Sequence, residues 1–262
     1  MKQHLYKAVQ AALLAGEEIL DVYEAGFDVE YKEDSSPLTV ADKNAHDVIV
    51  EALSDTGFPV LSEEGKNIPY DERKSWEYFW MVDPLDGTKE FVKRNGEFTV
   101  NIALIHQQRA VLGVIYVPVT KILYFAAAGA GAFKLELSTD LPADLEGLIA
   151  ASYKLPCHRE SRKFTVVASR SHMSEETEMF IDGLRTVHKE VEFRSSGSSI
   201  KLCLVAEGAA DVYPRFAPTM EWDTAAGQAI CEIAGKQVLD YQNNSPLLYN
   251  KENLLNNWFI VK

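Results

Sequence analysis

An apolar run, Tyr78-Phe79-Trp80-Met81-Val82, breaks off into Asp83-Pro84-Leu85-Asp86-Gly87-Thr88, and no other stretch constrains the fold of this chain as strongly. The run has the length and aromatic content of a buried strand. Pro84 holds Asp83 extended at the strand end and offers no N–H, while Asp86-Gly87 is a strong turn signal. The turn therefore presents the Asp83 and Asp86 carboxylates, the Leu85 carbonyl and the N–H groups that open a following helix. Carboxylates and a carbonyl together suit a hard cation such as Mg²⁺. N–H groups at a helix start suit a phosphate oxygen. The plain alternative is an Asp-rich loop between a strand and a helix.

Leu5, Val9, Ala12, Leu13, Ile19, Leu20 and Tyr23 recur at helical spacing, which predicts an amphipathic helix over about residues 3–24, ending near Gly26. A short strand over Phe27 to Tyr31 and a polar loop from Lys32 follow. Thr39 is placed to cap a second helix whose buried face is Ala45, Val48, Ile49, Ala52 and Leu53. Asp42, in the first turn of that helix, has a purely structural alternative as a complement to the helix dipole. Phe58 to Leu61 is a short apolar segment, and Glu63-Glu64 after it reads, taken alone, as solvated charge. Beyond the central turn, Phe98–Ile105, Ala110–Val117, Ile122–Ala127 and Gly131–Leu135 predict an antiparallel meander, so the first half reads as α+β.

Residues 136–162 lose periodicity, and a boundary is placed there, giving halves 1–145 and 146–262. The second half alternates: strands at Phe164–Ala168, Val187–Phe193, Ala210–Tyr213 and Gln237–Asp240, with helices at Ser174–Leu184, Ser198–Glu207 and Trp222–Ala234. That alternation predicts an α/β unit. Glu221-Trp222-Asp223-Thr224-Ala225-Ala226-Gly227 stands out because its small residues let a helix approach another backbone closely. Asp223 either complements its own helix dipole or points into a cleft between the halves.

A chain of 262 residues has material for one large domain or two modest ones. Its formal net charge of −13 argues against a nucleic-acid polymer as partner, because such binders rely on basic patches. A small polyanion remains compatible if metal ions neutralise its site. Cys157, Cys203 and Cys231 are scattered without metal-ligand spacing and odd in number; Cys203 and Cys231, within apolar helical patterns, read as buried thiols, and a reducing compartment is expected. The N-terminus leads into an amphipathic segment rather than an apolar signal core, and no apolar run reaches the roughly 18 residues of a membrane span. A soluble, cytoplasmic protein is expected.

Set together, Asp83-Pro84-Leu85-Asp86-Gly87-Thr88, Trp222-Asp223-Thr224-Ala225-Ala226-Gly227 and the upstream pair Glu63-Glu64 resemble the signatures of the inositol-monophosphatase-like, Mg²⁺-dependent, lithium-sensitive phosphatase superfamily. The resemblance spans essentially the whole chain. Lys89-Glu90-Phe91, Arg94 to Leu104, Ser169-Arg170-Ser171-His172, Gly197-Ser198-Ser199-Ile200-Lys201 and Tyr213-Pro214-Arg215-Phe216 place it nearest the bacterial 3′(2′),5′-bisphosphate nucleotidases of the CysQ type. The fold so implied is a layered α-β-α-β-α sandwich, in agreement with the α+β and α/β readings.

The resemblance also implies residue roles. Glu63, Asp83 and the Leu85 carbonyl would hold one Mg²⁺; Asp83, Asp86 and Asp223 would hold a second, with Asp83 bridging; Glu64 would help with a third. Two divalent ions would generate the nucleophile and stabilise the leaving oxygen. Thr88 and Asp42 would orient the attacking water, with Glu63 contributing through its metal, and the N–H groups of Gly87 and Thr88 would hold the scissile phosphate. Substrate contacts are thus expected at Glu63, Leu85, Asp86, Gly87, Thr88 and Asp223. Arg170, Lys201 and Arg215 are nominated for the second phosphate or the nucleotide.

The implied reaction is hydrolysis of adenosine 3′,5′-bisphosphate to AMP and phosphate, a clearance step linked to sulfate assimilation. Inositol monophosphatase, or a related sugar-phosphate phosphatase, is the rival enzyme reading, and a non-catalytic phosphate-binding regulatory relative is the rival of another class. The expected partner is a small-molecule nucleotide bisphosphate, with a homodimer compatible. Peripheral placement on the inner face of the plasma membrane enters by resemblance only, since no basic amphipathic helix supports it.

Overall fold

Apolar residues at helical spacing bury one face of α1 (Lys2–Ala25) and of α2 (Val40–Leu53), and the two helices pack together. The structure, a computed structural model, describes residues 1–25, 29–31, 37–138, 141–158, 162–168 and 174–262, with the backbone alone at 29–31 and 37–39. The expected helix stop at Gly26, the polar loop over 32–36 and the stretch Ser169-Arg170-Ser171-His172, with Arg170, lie outside these residues. Between α1 and α2 run the short antiparallel strands β1 (Val29–Tyr31) and β2 (Pro37–Thr39).

A seven-stranded sheet follows: β3 (Val60–Ser62), β4 (Tyr78–Asp86), β5 (Thr99–His106), β6 (Arg109–Val117), β7 (Ile122–Ala127), β8 (Gly131–Glu136) and β9 (Tyr153–Lys154), in that spatial order. β3 and β4 pair in parallel and the later neighbours antiparallel. The predicted meander is therefore present. Short helices α3 (Tyr70–Arg73), α4 (Thr88–Val92) and α5 (Leu145–Ala150), too brief to show a period, lie in its connections.

The strands of this sheet are apolar on both faces, because each face is covered. Trp80, Val82, Val100, Ile102, Val114 and Phe125 face α1 and α2. Phe79, Met81, Ala103, Ile115 and Tyr124 face the other way, toward α7 (Ile200–Ala206) and α8 (Glu221–Ile233). The small residues of α8 do what their size suggests. A Cβ on Gly113 of β6 would stand 2.2 Å from the Ala226 carbonyl, and one on Gly227 2.8 Å from Leu202 Cβ. Helix and sheet backbones touch.

Beyond α7 and α8 lies a second sheet. β10 (Phe164–Ala168), α6 (Glu175–Val187) and β11 (Val191–Ser195) form the expected parallel unit. β12 (Tyr213–Arg215), β14 (Phe259–Val261) and β13 (Val238–Asp240) pair antiparallel, and Val166 bridges Val212 to join the two sets. α6 covers the outer face through Ile181, Phe180 and Leu184 against Val166, Val212 and Ile260. The layers are α-β-α-β-α, as the resemblance implied.

Several element limits differ from expectation. β4 runs on through Pro84 to Asp86 instead of ending at Asp83, with its register against β5 broken between Asp83 and Asp86. Proline cannot donate to a ladder, so the strand passes it as an irregularity rather than stopping. α7 opens at Ile200 rather than Ser198, since Ser198 has φ +40° and lies outside helical space. α6 extends through Val187, so β11 begins only at Val191. The strand expected at Ala210–Tyr213 forms at Tyr213–Arg215.

Candidate active site

Two strand ends and two helix starts converge. β3 and β4 lie side by side, and the Glu63 N–H donates to the Val82 carbonyl at 3.1 Å, which carries the parallel pairing one step further and sets Glu63 next to Asp83. Asp223 enters from the first turn of α8, across the sheet. Carboxylate oxygens of Glu63, Asp83 and Asp223 all lie within 4.8 Å of one another. Asp83 is 1% exposed, and its Oδ1 has no hydrogen-bond partner among the described residues.

So dense a group of acids resists ionisation. Burial raises the Asp83 carboxyl well above the ordinary carboxylate range, and the charges of Glu63, Asp86, Asp223 and Asp42 raise it further. Burial likewise raises Asp223, with Asp86 and Glu63 adding to it, while the Met220 N–H and Arg215 oppose the shift. A bound divalent cation removes this conflict. An all-oxygen set that includes a residue with a buried oxygen lacking a partner among the described residues fits Mg²⁺, which takes carboxylate ligands.

Both readings of Asp223 are realised in one side chain. It accepts the Met220 N–H at 2.9 Å, capping its own helix, and it also belongs to the carboxylate group. Asp42, 3% exposed in the first turn of α2, is close enough to act on Asp83 electrostatically. Glu63 is exposed and Glu64 half-buried.

The turn after β4 is shaped by Gly87, whose φ is +97° and where a Cβ would stand 3.2 Å from the Glu97 carbonyl and 3.3 Å from Ser198 Cβ. It caps α4, whose first residue is Thr88; the Thr88 hydroxyl donates to the Leu85 carbonyl at 3.5 Å. Asp86 is held from behind. Ser199 Oγ donates to its Oδ2 at 2.7 Å, and Asn101 Nδ2 donates to Ser199 Oγ at 2.9 Å and to Asp86 Oδ2 at 3.4 Å. The same hydroxyl lies 2.7 Å from the Asp223 carbonyl, so Ser199 ties the β4 turn to α8.

Ser199 and Asn101 carry this support, and sequence reasoning gave them no role. Asn101 did leave a signal, as a polar residue inside the apolar run Phe98–Ile105, directly opposite Asp83.

A pocket of about 100 Å³ opens beside the carboxylates, lined in part by Asp86, Gly87, Ser198, Lys201, Arg215 and Asp223. Two residues nominated from sequence, Lys201 and Arg215, are therefore at the site. Lys201 is buried, its Nζ donating to the Ser196 and Ser198 carbonyls at 3.2 and 2.5 Å, and burial lowers its pKa to about 8. Arg215 donates through Nη2 to the Pro218 carbonyl at 3.0 Å, while its buried Nε and the Ser198 hydroxyl lack partners among the described residues. Cations thus face the pocket next to the acids.

Comparison with known proteins agrees with this geometry. The model of the inositol monophosphatase family matches residues 1–259. The chain is 45% identical over 261 residues to a Salmonella typhimurium protein named 3′(2′),5′-bisphosphate nucleotidase CysQ, covering 98% of both chains. It is 44% identical to the Escherichia coli protein of that name, again over 98% of each. A crystal structure of CysQ from Bacteroides thetaiotaomicron superposes with a TM-score of 0.92 at 54% identity, covering 100% of this chain and 97% of that one. Fold, carboxylate geometry and full-length similarity lead to one assignment: the chain belongs to the inositol monophosphatase family.

Proposed function

We propose that this chain is a Mg²⁺-dependent phosphoric monoester hydrolase, a 3′(2′),5′-bisphosphate nucleotidase that converts adenosine 3′,5′-bisphosphate to AMP and phosphate. The observation that carries it is the group Glu63, Asp83 and Asp223, with oxygens within 4.8 Å of one another, in which Asp83 keeps a buried oxygen with no partner among the described residues. Full-length relatives named as such nucleotidases support the substrate. So does the pairing of Lys201 and Arg215 with the acidic cluster, which suits a ligand with a phosphate beyond the scissile one.

Glu63, Asp83, the Leu85 carbonyl, Asp86 and Asp223 would hold two Mg²⁺ ions, with Glu64 beside a third. When bound, Mg²⁺ neutralises the carboxylates, acidifies a water and stabilises charge on the leaving oxygen. The protein's own share is positioning. Gly87 and Thr88 turn their N–H groups to the scissile phosphate, and Ser199 and Asn101 hold Asp86 in place. Thr88 would orient the attacking water and pass its proton toward Asp42, and Glu63 would serve as a ligand that helps hold the ion. Asp42→Asn separates this role from capping: a folded variant that turns over at the wild-type rate would remove Asp42 from the reaction.

Phosphate release from adenosine 3′,5′-bisphosphate, from inositol 1-phosphate and from a sugar phosphate, each with Mg²⁺ and with chelator, tests the whole reading. Release from the bisphosphate nucleotide in Mg²⁺ alone is expected. Preference for inositol 1-phosphate would move the assignment to inositol monophosphatase, and inertness on every substrate would leave a phosphate-binding regulatory protein. Among the described residues no helix is long and apolar enough to cross a membrane. A cytoplasmic location completes the proposal, with peripheral placement on the inner face of the plasma membrane as the alternative that cell fractionation reads; sedimentation reads whether the chain forms the homodimer compatible with it.

A further inference from the structure

At the far end of α7 from Ser199, about 12 Å along the helix axis, a second set of ligating side chains lies outside the candidate active site. Cys157, His158 and Glu207 each offer one ligand atom, and these atoms all lie within 4.8 Å of one another. Glu207 anchors the group. Its side chain is 4% exposed; Oε2 accepts from the Tyr124 hydroxyl and from Lys134 Nζ, both at 2.9 Å. Oε1 is turned instead toward His158 Nε2, at 3.5 Å.

Backbone hydrogen bonds hold the other two donors on the same residue. The N–H groups of Cys157 and His158 donate to the Glu207 carbonyl at 3.1 and 2.9 Å. Exposure increases outward, from buried Glu207 through half-buried Cys157 to His158 at 52%, which leaves a path from solvent. Tyr124 and Lys134 hold Oε2 while Oε1 is turned to the His158 ring, an arrangement that orients a carboxylate for a metal.

We infer that Cys157, His158 and Glu207 form a second metal site, for a transition ion of the zinc class. Sulfur, nitrogen and oxygen donors together favour such an ion over Mg²⁺, and three protein ligands leave a fourth tetrahedral position to water. On binding, the Cys157 Sγ–H proton passes to solvent, neutral His158 supplies a ring nitrogen, and Glu207 binds through Oε1 while keeping Tyr124 and Lys134 on Oε2. The Lys134 ammonium opposes a cation, so the Cys157 thiolate must carry most of the affinity. That makes Cys157 the discriminating residue. The inference is independent of the phosphatase reading.

The test uses the full chain in Mg²⁺ buffer, titrated with Co²⁺ and followed by absorption. Expected are visible bands of tetrahedral cobalt and a near-ultraviolet thiolate-to-cobalt band, saturating at one equivalent and displaced by Zn²⁺. Cys157→Ser abolishes the near-ultraviolet band. His158→Ala weakens cobalt binding by more than about tenfold, the lower end of what loss of a metal's supporting partner costs. Both variants keep the wild-type unfolding midpoint without transition metal, which excludes misfolding. The inference is overturned if wild type shows no thiolate band, as a buried Lys134–Glu207 pair with bystander neighbours predicts. It is equally overturned if the band persists in Cys157→Ser, which would place the ion on Cys203 or Cys231.

Discussion

Asp83 is where burial and charge conflict most sharply, and that conflict has a sign. In the metal-free fold burial, then Glu63, Asp86, Asp223 and Asp42, raise its carboxyl, and Asp223 is raised for similar reasons. A group whose folded pKa exceeds its unfolded value stabilises the fold below the unfolded value, and that contribution is lost as pH rises through the folded one. In chelator, wild type should therefore lose stability relative to Asp83→Asn as pH rises above the ordinary aspartate range, about 4. Scanning calorimetry of the pair reads this difference, and Mg²⁺ should reverse it for wild type alone. A wild type that gains on Asp83→Asn over that range would contradict the carboxylate electrostatics. Ser199 acts one step back, through Asp86 and the Asp223 carbonyl. Ser199→Ala should raise the Mg²⁺ needed for half-maximal phosphate release by about 10–100-fold, the usual effect of losing a ligand's support.

At the level of elements, the site depends on two close approaches. The first is α8 on β6, where a Cβ at Gly113 would stand 2.2 Å from the Ala226 carbonyl. Because the obstacle is backbone, the helix must move, so Gly113→Ala should cost about 1–3 kcal/mol, in line with overpacking of a core. Urea unfolding measures that cost, and the same shift would displace Asp223 and lower activity beyond what stability explains. The second is the Gly87 turn, with φ +97° and Glu97 and Ser198 crowding the missing Cβ. Gly87→Ala should retain the fold but lose most phosphate release; an active Gly87→Ala enzyme would show that the turn's shape is not needed.

Across the whole molecule, the division at 145/146 separates the β4 motif from Asp223, yet one core spans it. Phe79, Met81, Ala103 and Ile115 pack with Leu202, Cys203, Ala226 and Ile230 in a single apolar cluster. Residues 1–145 alone would expose that entire face of the large sheet. The full chain should unfold in one transition by both tryptophan fluorescence and far-ultraviolet dichroism, and a 1–145 fragment should be insoluble or unfolded. Separate transitions would instead make the halves independent folding units.

Much was legible in the sequence because it is local. The 3.6-residue period of α1 and α2, the two-sided apolar strands of the large sheet, and the turn chemistry of Asp83 to Thr88 are written in neighbouring residues. The turn's own chemistry nominates Asp86 and the small-residue segment of α8 singles out Asp223, whereas Glu63 enters the ligand set only through the resemblance. Tertiary structure alone decided the rest, since the relevant distances join residues far apart in the chain. Ser199 meets Asp86 only because α7 lies against the β4 turn, and Cys157 meets Glu207 only because the 155–158 segment closes over the end of that helix. Pro84, which pattern alone read as a strand stop, became an irregularity within β4, since β5 supplies pairing on either side of it. Local preference set the elements; packing set which polar groups share a buried space, where a charge or donor must find its partner.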